Sequence, residues 1–153
     1  MGVNGIWLDP IFAPSQYLMY GPDTVNPFLT GTTDYEAGWQ IVADFVEKAH
    51  EHNIRVFFDI VTWGVHKAAP VVKEHKGWFS SIDPKYDGYN YNWENQELVE
   101  WFSNQLVKII ETTNADGFRA DCGINYCGMM YTEKPVRNYI QKAIRSVFFP
   151  KER

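Results

Sequence analysis

An arginine and an aspartate two residues apart, Arg119 and Asp121, are the side chains in this sequence best suited to chemistry. They end the segment 115–121, which follows a helix-like run and has the pattern of a short buried strand. Because side chains two residues apart on a strand lie on the same face, we predict that the guanidinium and the carboxylate are in contact. The arginine would keep the carboxylate ionised, as an oxygen nucleophile or an electrostatic stabiliser. The same pair would also serve as a plain ion pair that closes the strand.

The elements that must position this pair alternate along the chain. Residues 54–61 are almost continuously apolar, which is typical of a parallel strand covered on both faces. Apolar side chains recur at helical spacing before and after that segment. The alternation of strands and helices predicts an α/β fold with a parallel sheet. The predicted elements are strand 3–10, helix 34–53, strand 54–61, helix 94–113, strand 115–121 and a helix from residue 132.

Two long connections follow the first two strands, at residues 11–33 and 62–93, and both are rich in aromatic residues. In α/β sheets, ligands bind at the carboxyl ends of the strands, where such connections lie. Asp9, Asp59 and Asp121 are expected at the same edge. Because packing alone does not require charges there, this arrangement favours a ligand site.

Sugars suit such an edge, since aromatic rings stack on the apolar faces of sugar rings and carboxylates accept hydrogen bonds from hydroxyls. Hydrolysis of a glycosidic bond needs one carboxyl group that attacks or stabilises and a second that protonates the leaving oxygen. Asp121 fits the ionised partner. No residue fits the protonated partner, because Glu94 and Glu133 have the positions of ordinary helix-start residues.

Composition excludes several other classes. The 153 residues are 45% hydrophobic and 22% charged, as in ordinary globular domains. A net charge of −5 without a basic cluster argues against nucleic-acid binding. The start has no signal-peptide pattern and the chain has no apolar run of membrane-spanning length, and the sequence does not indicate a compartment. The cysteines, Cys122 and Cys127, do not make a metal site, and we expect neither a metal nor a cofactor.

Four segments resemble a known family. They are Gly-Val-Asn-Gly-Ile-Trp-Leu-Asp-Pro-Ile-Phe at 2–12, Tyr20-Gly21-Pro22-Asp23 with Gly-Thr-Thr-Asp-Tyr at 31–35, Val-Phe-Phe-Asp-Ile-Val at 56–61, and Ala-Asp-Gly-Phe-Arg-Ala-Asp at 115–121. In this order they are similar to the second barrel strand, the next loop and helix entry, the third strand and the fourth strand of the α-amylase family of glycoside hydrolases. The fourth match is the most specific.

The resemblance implies a partial (β/α)₈ TIM barrel, of which this chain supplies about three βα units, strands two to four. Asp121 then takes the place of the catalytic nucleophile, Arg119 that of its supporting arginine and Asp59 that of a structural aspartate. The family's retaining mechanism would form a covalent glycosyl ester on Asp121. Its general-acid glutamate and second aspartate lie on the fifth and seventh strands, which are not reached before Arg153. A whole barrel takes about 250 residues, so we expect a fragment without hydrolytic activity of its own.

The sequence departs from the family at two places. The usual Asn-His after the third-strand aspartate reads Trp63-Gly64, and His66 is either a substitute for the histidine or a solvated loop histidine. The usual Tyr of Gly-Tyr-Asp is Pro22, so Tyr20 or Trp63 would have to supply its stacking face. The candidate substrate-binding residues are therefore Asp59, Trp63, His66, Tyr20 and Asp23.

Three functions remain open at this stage. The first is a glycosidase or transglycosidase that acts on α-linked oligosaccharides or polysaccharides in its full-length form. The second is a non-catalytic relative, a sugar-binding or scaffold barrel that kept the aspartate and lost the acid. The third is a flavodoxin-like binding domain, which the sequence disfavours because no Gly-rich phosphate loop follows the first strand. We also expect self-association through unpaired sheet edges.

Overall fold

The computed structural model describes residues 2–15 and 17–121, and a parallel sheet of three strands organises them. Its strands are β1 (Gly5–Leu8), β4 (Arg55–Val61) and β8 (Gly117–Asp121), with β4 in the middle. The predicted α/β class and the three predicted strands are confirmed. The predicted helix from residue 132 and both cysteines lie outside the described residues.

Two long helices cover one face of this sheet. Helix α2 (Tyr35–Glu51) begins after Asp34, whose carboxylate accepts hydrogen bonds from the backbone N–H groups of the first turn. Helix α4 (Gln96–Thr113) begins after Asn95, which caps it in the same way, and ends at Asn114. The predicted helices start one residue early at α2, where the cap Asp34 was included, and two residues early at α4, where Glu94 and the cap Asn95 were included. None of the helices in the described ranges is long and apolar enough to cross a membrane.

The segments predicted as long loops contain secondary structure. Residues 11–33 hold a small hairpin of β2 (Pro14–Ser15) and β3 (Leu18–Met19), followed by a short helix α1 (Pro27–Thr30). Residues 62–93 hold three antiparallel strands, β5 (Gly64–His66), β6 (Phe79–Asp83) and β7 (Gly88–Tyr91), with helix α3 (Pro70–Glu74) and a 3₁₀ turn (Lys76–Trp78) between β5 and β6. The order of the strands in this sheet is β5-β7-β6.

Most aromatic side chains of the second connection belong to the core, which corrects the expectation that they line the sheet edge. Tyr91 is 1% exposed, and its ring centroid lies 5.2 Å from that of Trp93 and 5.7 Å from that of Phe102 on α4. Trp78 is buried too, with its ring 5.2 Å from Trp101. Burial of this aromatic surface stabilises the connection as a folded unit.

The two faces of the parallel sheet differ in character. Val56, Phe58 and Ile60 of β4 lie on the face that packs against α2 and α4 and are buried. On the other face, Trp7 of β1 is 53% exposed, and the Arg119 guanidinium lies 5.0 Å from its ring centroid. β1 and β8 are the outer strands of this sheet in the described part of the chain, and self-association through them stays a prediction.

Candidate active site

One nitrogen of Arg119 joins two aspartates at the carboxyl end of the parallel sheet. Arg119 Nη1 lies 2.7 Å from Asp59 Oδ2 and 2.9 Å from Asp121 Oδ1. In the β4–β8 register Asp59 is the partner of Arg119, while Asp121 is two residues further along β8 on the same face. The predicted contact between Arg119 and Asp121 is confirmed, and so is the location of Asp59 at the same edge.

Asp59 is the buried member of this group. Its side chain is 0% exposed, whereas 46% of the Arg119 side chain is exposed. Burial raises the pKa of Asp59 and the nearby Asp121 charge adds to this, while the hydrogen bond and charge of Arg119 act in the opposite direction. Among the described residues, Asp59 Oδ1 has no hydrogen-bond partner. Arg119 therefore compensates a carboxylate that is costly to bury.

A tyrosine that we did not predict, Tyr17, completes the group. Its hydroxyl donates to Asp59 Oδ2 at 3.4 Å, the oxygen that also accepts from Arg119. Tyr17 lies between β2 and β3, in a segment without a periodic pattern. Its place depends on a contact distant in sequence, because Trp63 Nε1 donates to the Tyr17 carbonyl oxygen at 3.0 Å.

The electrostatics of Tyr17 show which charges surround it. Burial raises the pKa of its phenol, and the charges of Asp59, Asp9 and Asp121 raise it further, partly offset by Arg119. The carboxylates at the ends of all three parallel strands therefore act on one hydroxyl. The prediction that these aspartates lie at one edge of the sheet explains why their charges act together on this hydroxyl, although it did not identify the tyrosine.

Trp63 lies in the core, and its role in substrate binding stays a prediction. It is 6% exposed and belongs to the core, where its ring centroid lies 5.7 Å from that of Tyr86. The next residue, Gly64, has no room for a side chain, because a Cβ there would fall on the Tyr89 carbonyl oxygen of β7. The pairing of β5 with β7 thus explains why a histidine cannot occupy this position.

The remaining predicted residues lie in two other places. Tyr20 and His66 are half-buried and contact each other edge to face, with ring centroids 5.7 Å apart. Asp23 lines a separate cavity together with side chains of α2 and α4, and its backbone carbonyl accepts from Trp39 Nε1 at 3.1 Å. No contact in the described ranges joins Asp23 to the Arg119 group, so its predicted role in substrate binding has no geometric support.

Comparison with known proteins extends this description. No family model and no curated protein sequence matches the chain. Solved structures do match, and the maltogenic α-amylase AmyB of Thermotoga neapolitana superposes with a TM-score of 0.74 and 25% identity over 99% of this chain. The resemblance is to the α-amylase family. An α-amylase of Geobacillus thermoleovorans, solved with acarbose, gives a TM-score of 0.71 at 22% identity over 94% of the chain, and a cyclomaltodextrinase gives 0.68 at 17% over 95%.

The chain spans 36%, 34% and 28% of the lengths of these three structures. Its parallel sheet and covering helices resemble parts of an amylase TIM barrel. In TIM-barrel enzymes the active site lies at the carboxyl ends of the barrel strands, which is where Arg119 joins its two aspartates. No group of three or more His, Cys, Asp or Glu side chains is placed to hold a metal ion within residues 2–15 and 17–121.

Proposed function

We propose that this chain is the nucleophile-bearing part of an α-amylase-type barrel, and that it supplies strands two to four. In the complete barrel it acts as a retaining glycoside hydrolase or transglycosidase on α-linked oligosaccharides or polysaccharides. The observation that carries this proposal is the contact of Arg119 Nη1 with both Asp59 Oδ2 and Asp121 Oδ1 at the carboxyl end of the sheet. The similar structures, which are those of amylases and a cyclomaltodextrinase, support it.

The proposed chemistry assigns one role to each of these groups. An oxygen of Asp121 attacks the anomeric carbon as the bond to the leaving oxygen breaks, and a glycosyl ester forms. An acid outside the described residues gives the leaving oxygen its proton, and water or a second sugar then releases the ester. Arg119 orients Asp121 through the 2.9 Å contact, and Asp59 holds Arg119 through the 2.7 Å contact.

A non-catalytic sugar-binding relative is the second candidate. One observation favours it: of the two other aspartates predicted at this edge of the sheet, Asp59 is paired with Arg119, and Asp9 is exposed after β1. Neither is placed as a proton donor to a leaving group. The general acid must therefore come from another part of the barrel, and a protein without it would still bind sugar.

Turnover and binding distinguish the two candidates. In the complete barrel, Asp121→Asn should lower hydrolysis of maltoheptaose by at least about a thousandfold while the protein still folds. The control Asp44→Asn changes an exposed α2 carboxylate that accepts from Gln40, and it should leave turnover unchanged. Sugar binding without turnover in the parent barrel would favour the non-catalytic relative. We expect no turnover by the 153-residue chain alone, and measurable hydrolysis by it would contradict that part of the proposal.

A further inference from the structure

We propose that Thr62 is a positioning residue for the Asp121 carboxylate, and that it acts by holding the backbone of Asp121 at the carboxyl end of β8. The inference rests on the proposed function, in which Asp121 attacks the sugar, and adds to it a residue from the start of the second connection. Thr62 lies outside the charged group of Arg119, Asp59 and Asp121.

The hydroxyl of Thr62 reaches the residue proposed as the nucleophile. Thr62 comes directly after β4 and is 0% exposed. Its Oγ1 donates a hydrogen bond to the backbone carbonyl oxygen of Asp121. The β4–β8 register brings the two residues together, since it ends with Val61 opposite Asp121 in the described part of the chain. The Thr62 side chain therefore extends the link between the two strands beyond their backbone pairing.

Asp121 is thus held both at its side chain and at its backbone. Arg119 Nη1 lies 2.9 Å from Oδ1 of the carboxylate, and Thr62 binds the carbonyl oxygen. The first contact restrains the carboxylate, and the second restrains the main chain from which the carboxylate projects. Because attack on an anomeric carbon requires close alignment of the reacting atoms, a small rotation of this main chain would slow the reaction.

Thr62 is itself fixed by the folded second connection. Trp93 Nε1 donates to the Thr62 carbonyl oxygen at 3.0 Å. Trp93 is 4% exposed, and its ring packs edge to face on Phe102 of α4 with the centroids 5.0 Å apart. The β-branched side chain of Thr62 also has few rotamers to choose from. The contact with Asp121 is therefore made by a residue that is restrained on its other side.

Packing alone does not explain a hydroxyl at this position. Ile60 and Val61, which precede Thr62, are buried to the same degree, and a valine at position 62 would have nearly the same shape as the threonine. Burial of a hydroxyl costs free energy, which its hydrogen bond offsets. The threonine is thus better explained by its contact with Asp121 than by the filling of space.

Two variants of Thr62 in the complete barrel test this role. Thr62→Val removes the hydroxyl and keeps the shape, and we expect kcat for hydrolysis of maltoheptaose to fall by about 10- to 100-fold. KM should change by less than about twofold, because a buried hydroxyl bound to a backbone carbonyl does not contact the sugar. Thr62→Ser keeps the hydroxyl and should retain kcat within about threefold of the parent.

Thr113→Val is the matched control. Thr113 is 2% exposed and its Oγ1 donates to the Ile109 carbonyl oxygen at 2.7 Å, so the variant makes the same chemical change at another buried hydrogen bond. Thr113 ends α4, ahead of the start of β8, and we expect the kcat and KM of the parent. An equal fall in kcat for Thr62→Val and Thr113→Val would overturn the inference.

A measurement on the 153-residue chain tests the contact without turnover. The ¹³C resonance of the Asp121 backbone carbonyl should move in Thr62→Val, because the carbonyl loses a hydrogen bond. It should stay near its parent position in Thr62→Ser and in Thr113→Val. A carbonyl resonance that Thr62→Val leaves in place would overturn the inference.

The outcomes separate the failure of this inference from the failure of the proposed function. Turnover retained by Asp121→Asn would overturn both, because Asp121 would not be the nucleophile. If Asp121→Asn abolishes turnover and Thr62→Val keeps the parent kcat, the proposed function stands and the role of Thr62 is purely structural, even where the variant unfolds more easily. A rise in KM at the parent kcat would overturn the inference as well.

Should Thr62→Val fail to fold, Trp93→Phe decides. This variant keeps an aromatic ring and removes the N–H group that holds the Thr62 carbonyl. A lower kcat at an unchanged KM would support the inference, and the parent kcat would overturn it.

Discussion

Arg119 Nη1 lies 2.7 Å from Asp59 Oδ2, across the boundary between β8 and β4, and the aspartate side chain has no solvent exposure. The arginine is half exposed, so water stabilises the cation while the anion depends on the pair. The contact therefore offsets a larger desolvation cost for the aspartate than for the arginine. This asymmetry allows a direct experimental test.

Removal of the arginine should destabilise the fold. Arg119→Met leaves Asp59 buried without its counter-charge, and we expect the free energy of unfolding to fall by about 2–4 kcal/mol. This loss is small for a buried ion pair because water reaches the position of the arginine. Urea unfolding of the parent and the variant at neutral pH measures this. The double variant Arg119→Met with Asp59→Asn should recover part of the loss, since no buried charge remains. Equal stability of the single and double variants would contradict the assignment.

A side chain at Gly64 should disrupt the sheet in the second connection. A Cβ on Gly64 would meet the backbone of Tyr89 in the neighbouring strand β7, which cannot move without breaking the β5–β7 pairing. We expect Gly64→Ala to lower the unfolding free energy by about 2 kcal/mol or more. Gly77→Ala is the matched control, since its Cβ would meet only Asn95 Nδ2 at an ordinary 3.8 Å. A similar thermal midpoint for both variants would rule out this packing constraint.

Asp116 should contribute stability that depends on pH. Its Oδ2 accepts from His50 Nε2 and from the Val56 N–H, both at 2.8 Å, and so joins the end of α2 to β4. Burial alone would raise its pKa, but these hydrogen bonds and the charges of His50 and Arg55 lower it below the ordinary 3.8. A carboxyl whose pKa is lower in the folded state stabilises the fold above its unfolded pKa. That contribution is lost as the pH falls through the folded value.

We therefore expect Asp116→Asn to cost about 1–3 kcal/mol at pH 7 and much less near pH 3. Urea titrations at both pH values measure the difference. Glu51→Gln is the control, because the Lys48–Glu51 pair lies on the exposed surface of α2, and we expect no measurable change from it. A cost for Asp116→Asn that is the same at pH 7 and pH 3 would show that the charge of Asp116 is not responsible.

The end of α4 depends on an asparagine in a left-handed conformation. Asn114 has φ 55° and donates its backbone N–H to the Ile110 carbonyl, so the chain turns there towards β8. Asn114→Val should cost about 1–2 kcal/mol, because a β-branched residue is strained at positive φ. Asn114→Gly should be neutral or slightly stabilising. Thermal unfolding of both variants tests this, and a valine variant as stable as the glycine variant would contradict it.

The sequence predicts the parts of the fold that depend on local periodicity. The apolar run of β4 and the helical spacing of Trp39, Val46 and Ala49 in α2 identify their elements directly. The antiparallel sheet in residues 62–93 escaped prediction because its aromatic residues show no clear alternation. It forms through β5–β7 contacts that are distant in sequence, which local periodicity does not report.

The sequence likewise predicts only part of the candidate site. The contact of Arg119 with Asp121 follows from their spacing on one strand, and the presence of Asp59 follows from the parallel arrangement of the strands. Tyr17 could not be found in this way, since its position depends on an indole hydrogen bond from Trp63 across 46 residues of sequence. The burial of Trp63 was not predicted for a related reason, because the strands that enclose its ring were not expected.

Phe58 and Asp59 are neighbours on β4 and point to opposite faces of the sheet. A slip of β4 by one residue would place the charge against the helices and the phenyl ring beside the arginine. The ionic contact thus helps to fix the register of β4 with β8. Correct pairing of β4 with β8 and formation of the charged group at the carboxyl end of the sheet are therefore a single event, and a misaligned form of this chain would lose both.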